Sequence, residues 1–280
     1  MAKVAVVFAG QGAQAVGMGK ALCDRHAPAR ALFDRASKVL GFDLAKVCFE
    51  GPADQLNRTD VCQPALLVHA FAAADAHSFE GHEIVAAAGL SLGEYTANLF
   101  AGSLTFEDAV GLVKKRGAWM QEACDATPSG MVSVLGLDLA KVRSAIAGFD
   151  GVGVANVNSP GQIVISGANE PLAKAAEACK SAGAKRCIPL KVAGAYHSTV
   201  MAPAQEKMRA ELAGTKFAAP KVPVVVNVTG QAVTDPEGLR SSLATQICGS
   251  VLWEDSVRVM ASRGRQSSSS SVPGRCSRVS

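Results

Sequence analysis

A serine and a histidine are the side chains with which this sequence could carry out acyl chemistry. Ser91 lies in Gly89-Leu90-Ser91-Leu92-Gly93, a GxSxG pattern with an apolar run at 84–88 before it and helix-forming residues after it. Strand, sharp turn and helix are what a nucleophile elbow requires, because the turn lifts the hydroxyl clear of the backbone. A serine hydroxyl attacks a carbonyl only when a base takes its proton, and histidine is the usual base. His26, His69, His77 and His82 precede the serine, and only His197 follows it, in the order usual for GxSxG enzymes. It stands in the loop-like Gly194-Ala195-Tyr196-His197-Ser198. A hydrolytic triad would add an acid behind the imidazole. The stretch after the serine offers Asp125, Asp138, Asp150, Glu170 and Glu177, mostly on or beside helices, and none is well placed. A backbone carbonyl can orient the ring instead, which gives a dyad with less drive to deprotonate water. The missing acid argues against an esterase.

These residues must be held by a scaffold, and the hydrophobic periodicity supplies one. Residues 3–9 predict a buried strand running into the glycine turn Phe8-Ala9-Gly10-Gln11-Gly12-Ala13-Gln14. Helical spacing covers 19–40, 63–76, 92–100 and 106–123, the last opened by Thr105 with Asp108 in a capping box. Residues 131–137, 139–149, 152–157, 163–167, 171–181 and 186–192 then read β-α-β-β-α-β, the ferredoxin-like order. The chain returns with a helix at 201–212, a strand at 222–228 and a helix at 237–247. The expected fold class is therefore α/β, with a parallel-sheet large subdomain at 1–125 and 194–264 and an inserted ferredoxin-like small subdomain at 126–193. Residues 265–280 contain five consecutive serines and are expected to be an atypical, disordered tail.

Composition excludes several functions. At 280 residues and 49% hydrophobic, the chain can bury a full core and needs no partner copy, so a monomer is expected. A net charge of +4 is small and dispersed; Lys114-Lys115-Arg116 is the densest basic cluster, too little for a nucleic-acid footprint. The eight cysteines are scattered without a CxxC pair, which predicts buried thiols in a reducing compartment and no metal site. The apolar start at 4–9 is too short for a signal peptide, and the longest uncharged window, 151–169, holds Asn156, Asn158 and Gln162, so no membrane insertion is expected. A cytoplasmic location follows. The glycine turn at 10–12 fails as a phosphate loop, since Ala15 stands where GxGxxG has its third glycine.

Seven segments, in order, extend the pattern: FAGQGAQ at 8–14, QPAL at 63–66, GLSLGEY at 89–95, VKKRGAWMQEA at 113–123, ANVNSPGQIVISG at 155–167, GAYHS at 194–198 and VLWEDSV at 251–257. Together they resemble the motifs of malonyl-CoA:acyl-carrier-protein transacylases. The resemblance implies an α/β-hydrolase-like large subdomain beside the ferredoxin-like one. It implies malonyl-CoA as donor, acyl carrier protein as partner and no cofactor, in fatty-acid or polyketide synthesis. It assigns Ser91 as nucleophile, His197 as base, the backbone N–H groups of Gln11 and Leu92 as oxyanion hole, Arg116 as binder of the malonyl carboxylate and the Gln246 carbonyl as the acceptor orienting His197. Tyr196 is similar to a bulky residue that crowds branched substrates in malonyl-selective members, with packing as its other reading. Gln63 either lines the site or caps and packs its helix. By pattern alone, Arg116 reads as part of a solvated helix face. The chain departs from the family at Leu90, where many relatives carry His, at Leu252, where Arg is frequent, and at its serine-rich end. A serine esterase or thioesterase and an inactive carrier-protein-binding remnant are the alternatives.

Overall fold

The computed structural model describes residues 1–265, so the expectation for the tail falls, from residue 266 onward, outside the described residues. Among the described residues nine strands form two sheets: β1 Ala2–Phe8, β2 His82–Gly89, β3 Ser129–Leu135, β4 Gly153–Ser159, β5 Gln162–Ala168, β6 Arg186–Pro189, β7 Val224–Val225, β8 Ala232–Val233 and β9 Val251–Leu252. The first sheet has the order β1-β2-β7-β8, parallel except for β8. Because β1 and β2 run parallel with Phe8 opposite Gly89, the loops after them leave the same sheet end side by side. That register brings Gln11 and Ser91 to one edge.

The run of alanines in β2 has a packing reason. Ala86, Ala87 and Ala88 are all fully buried, Ala87 within the main core and Ala86 and Ala88 against Val225 and Met260 on the opposite face. Helices cover both faces of this sheet, which leaves its central strand no solvent side. The helix Leu92–Phe100 crosses so closely that a Cβ on Gly93 would lie 2.4 Å from the Phe8 carbonyl oxygen, and one on Gly89 2.0 Å from Gly93. Only glycine fits either place, so both flanking glycines of GxSxG are needed for the approach itself.

The second sheet has the order β6-β3-β5-β4-β9. Its first four strands are antiparallel, and with the helices Leu139–Ile146 and Asn169–Ser181 they follow the β-α-β-β-α-β order. Val134, Val142, Ile163, Ile165 and Cys179 form a core of its own between sheet and helices. The last strand, β9, pairs in parallel with β4 and ties this sheet to the end of the described chain.

Several elements differ from the sequence reading. The helix expected over 19–40 is two, Lys20–Arg25 and Ala27–Leu40, parted at His26 (φ −136°, ψ 95°) because Pro28 lacks an N–H and suits a helix start. The strand expected at 222–228 shrinks to Val224–Val225, since the Asn227 N–H leaves the ladder for the Glu94 carboxyl group. The strand at 186–192 ends at Pro189, which has no ladder donor. The helices Leu44–Glu50, Ala53–Asn57 and Trp253–Arg265 were not anticipated, although Asp43 accepts from Lys46 N as an N-cap and Glu254 and Asp255 load the first turn of the last one. Of the described cysteines all are free thiols, and burial pushes Cys48 and Cys62 up to about 12, where they are inert.

Candidate active site

Ser91 occupies φ 52°, ψ −101°, a conformation that L-residues rarely adopt, at the junction of β2 and the helix Leu92–Phe100. The strain is held by the neighbours. Its N–H donates to Asn227 Oδ1 at 2.6 Å, its carbonyl accepts from Gln246 Nε2 at 3.0 Å, and Asn227 Nδ2 donates to the Gly89 carbonyl at 2.8 Å. The hydroxyl is left facing a cleft of about 970 Å³, whose walls include Gln11, Leu92, Arg116, Asn158 and Trp253.

His197 reaches this hydroxyl from across 106 residues of sequence, with Nε2 2.8 Å from Ser91 Oγ. On its other side Nδ1 lies 3.0 Å from both the Gln246 and the Gly249 carbonyl oxygens. Two carbonyls can only accept, so the proton sits on Nδ1 and the Nε2 lone pair faces the serine. The segment is pinned: Ser198 Oγ donates to the Ala195 carbonyl, Ala195 N donates to Ser129 Oγ, and Gly194 lies against Cys124. His197 itself takes a left-handed φ of 57°. Among the described residues, the acceptors behind the ring are main-chain carbonyls.

Burial, and then the charge of Arg116, push the His197 imidazole down to about 4, against weaker support from the two carbonyls. The ring is therefore neutral, and able to accept a proton, throughout the physiological range. Acylation of Ser91 is expected to hold level as pH falls through 6.5 and to drop only as it approaches about 4, read as the initial rate of acyl-enzyme formation after rapid quenching. A loss centred near 6.5 would contradict it. Stability is the poorer readout. An unfolded histidine takes a proton that the folded one refuses, which weakens the fold on acidification below 6.5; Glu94, pushed up to about 7 by burial, takes its proton first in the folded state and works in the opposite direction.

Arg116 is the largest fully buried side chain, 1% exposed, which rules out the solvated helix face. It projects from the helix Phe106–Ala126, where Gly117 lets the backbone approach Thr59 and Asp60 closely. Nη1 donates to Gln63 Oε1 at 2.7 Å, and Nη2 donates to Gln246 Oε1 and to Ser91 Oγ, both at 3.0 Å. Gln63 lies in the second turn of the helix Thr59–Asp75, buried, and its carbonyl aims the guanidinium at the serine. The Tyr196 hydroxyl hydrogen-bonds Thr59 Oγ1 at 2.9 Å and accepts from Gln11 Nε2 at 3.4 Å, closing one wall of the cleft. The backbone N–H groups of Gln11 and Leu92 have no acceptor among the described residues and belong to residues lining the cleft beside Ser91. All eight residues singled out from the sequence thus meet around one hydroxyl. Asn227 and Glu94 were missed; an acid three residues after the serine on an otherwise uncharged helix was the available signal for Glu94.

A strained serine with a neutral histidine at hydrogen-bond distance, at the end of a parallel sheet, defines a serine acyl-enzyme protein. The model for the acyl transferase domain matches residues 5–241. The malonyl CoA-acyl carrier protein transacylase of Salmonella typhimurium is 42% identical over 268 residues, 94% of this chain and 87% of that protein. Among solved structures, an acyl carrier protein S-malonyltransferase from Vibrio cholerae superposes with a TM-score of 0.89 at 39% identity, covering 93% of this chain and 86% of that one. A malonyl-transacylase in complex with its type II PKS acyl-carrier protein gives 0.87 at 36% identity, covering 94% and 86%. The chain belongs to the acyl transferase family and, within it, to the malonyl CoA-acyl carrier protein transacylases.

Proposed function

We propose that this enzyme transfers a malonyl group from coenzyme A to the phosphopantetheine thiol of an acyl carrier protein through an ester on Ser91. The observation that carries the site assignment is the single oxygen, Ser91 Oγ, shared by His197 Nε2 at 2.8 Å and Arg116 Nη2 at 3.0 Å. His197 takes the serine proton while Oγ bonds to the thioester carbon. The backbone N–H groups of Gln11 and Leu92 hold the resulting oxyanion, each worth about 3 kcal/mol in such sites. The carbon–sulfur bond then breaks, and His197 returns the proton to the departing thiolate. The second half runs in reverse with the carrier's thiol as nucleophile. The Gln246 carbonyl keeps the Nδ1 proton in place, and Gln63 and Tyr196 shape the wall around the acyl group.

Arg116 receives the free carboxylate of the malonyl group, since its flat fork matches two oxygens. Once Ser91 is acylated its Oγ is an ester oxygen, a weaker acceptor than the hydroxyl, and Nη2 turns toward the acyl chain. The proposal divides the chain into 1–125 with 194–264 and an inserted 126–193; that the cleft is lined by Gln11 and Arg116 from the one and Asn158 from the other supports it. Donor and acceptor share the same half-reactions, so the scheme needs neither a metal nor a redox cofactor. No described helix is long and apolar enough to cross a membrane, and action in the cytoplasm, beside the carrier protein, is part of the proposal.

Incubation with malonyl-CoA, followed by intact-protein mass spectrometry, tests this reading. The expected outcome is a persistent mass increase of one malonyl group on Ser91, discharged by a phosphopantetheine-bearing carrier protein. Release of free malonate without an adduct would assign the chain to the thioesterases instead.

A further inference from the structure

Glu94 is a carboxyl group with no exposure at all, one helical turn beyond Ser91, and the transfer chemistry above makes no use of it. A buried acid without work is costly, and burial does push this one up to about 7. Its hydrogen bonds show where it acts. One oxygen, Oε2, accepts from Gln246 Nε2 at 2.8 Å and from the Asn227 backbone N–H at 2.8 Å; the other, Oε1, has no partner.

Both donors lead directly to the reacting groups. Gln246 uses its second amide hydrogen on the Ser91 carbonyl, its Oε1 on Arg116 and its main-chain carbonyl on His197 Nδ1. Asn227 uses its side chain to hold the Ser91 N–H and the Gly89 carbonyl. Glu94 Oε2 is therefore the one atom that joins the two holders of the strained turn. Nothing else described links Gln246 to Asn227 through a single acceptor.

We propose that Glu94 is a positioning residue: its Oε2 ties Gln246 to Asn227 and so fixes the nucleophile turn, the histidine's acceptor and the arginine in one frame. The inference deepens the transacylase reading and rests on it for the assay, but not for the geometry. What matters is an acceptor at that point. The unpartnered Oε1 can carry a proton, or be replaced by an amide nitrogen, without disturbing either hydrogen bond.

The test separates acceptor position from charge. Glu94→Gln keeps a carbonyl oxygen at the right distance and loses the charge. Glu94→Asp keeps the charge and withdraws the oxygen by one methylene. Single-turnover acylation of Ser91 by malonyl-CoA is measured for each, normalised to native protein by near-UV circular dichroism. The expected result is Glu94→Gln within threefold of the parent in maximal rate, and Glu94→Asp at least tenfold slower with the donor concentration for half-maximal rate changed less than threefold. Glu94→Leu, which breaks the relay by removing the oxygen at that point while filling the same space, is expected to show the same selective loss of maximal rate and decides the matter if Glu94→Asp does not fold. The proposal is overturned if Glu94→Gln is the slower of the pair, if the loss lies only in half-saturation, or if both relay variants acylate at the parent rate. A fluorophosphonate that labels activated serines is run in parallel. Parent protein that reacts with this probe but not with malonyl-CoA would refute the donor assignment while the comparison of variants still stands.

Discussion

Exchanging His197 for alanine is expected to slow acylation of Ser91 by roughly 10²-fold to 10⁴-fold, the contribution typical of a positioned general base. Ser91→Ala is expected to abolish the adduct altogether. The argument is geometric before it is electrostatic. Nε2 lies 2.8 Å from Oγ, and its lone pair is aimed there because two carbonyls occupy the opposite nitrogen. An alanine leaves only solvent to take the proton, while the backbone donors beside the cleft remain. Residual acylation should therefore rise with hydroxide concentration in His197→Ala, whereas the parent rate stays level. Mass spectrometry over time reads both. Acylation of His197→Ala within tenfold of the parent would remove the imidazole from the mechanism.

The second large effect concerns Arg116. Arg116→Ala is expected to lower kcat/KM for malonyl-CoA by roughly 10²-fold to 10³-fold, which corresponds to about 3–4 kcal/mol for a buried carboxylate losing its charged partner. Acetyl-CoA carries no such carboxylate, so its loading should be unchanged or improved. The contrast between donors is the measurement, because it cancels any general loss of fold. Some such loss is expected: Gln63 Oε1 and Gln246 Oε1 each forfeit a buried donor, and Glu94 loses the nearby positive charge that now favours its ionised form. Arg116→Lys should restore little, since a single ammonium cannot reproduce three hydrogen bonds from a planar fork. Equal losses for the two donors would show that Arg116 serves the frame and not the malonyl group.

The two family departures inside the described chain are tolerated by this geometry. Leu90 leaves the elbow intact: its backbone N–H donates to the Phe8 carbonyl and its own carbonyl accepts from Gly93. Leu252 likewise sits in β9, where its N–H donates to the Asn227 carbonyl, so the main chain there supports the same residue that holds the serine. Side-chain changes at these positions leave the backbone bonds in place.

Much of the molecule was legible along the chain. The helix at 92–100 was delimited correctly because Gly93 and the residues after Ser91 leave no other local solution, and the β-α-β-β-α-β order followed from alternating periods and from the turn at Asn158-Ser159-Pro160-Gly161. Short elements were not legible. The helices at 44–50 and 53–57 and strands β8 and β9 span one or two turns or two ladder pairs, too few residues for a period to show.

The sequence by itself singled out Ser91 and His197 as the candidate nucleophile and base, because their types and order are covalent facts, and it determined the parallel sheet that presents them, because buried strands and tight glycine turns are written locally. Tertiary structure alone decided that Arg116 is buried, that Gln63 and Gln246 aim it, and that Glu94 and Asn227 brace the turn. Those relations join segments 53 to 155 residues apart. No local period encodes such a meeting; it exists only once burial has taken the guanidinium and the carboxyl group out of water and left each other's neighbours as the available hydrogen-bond partners.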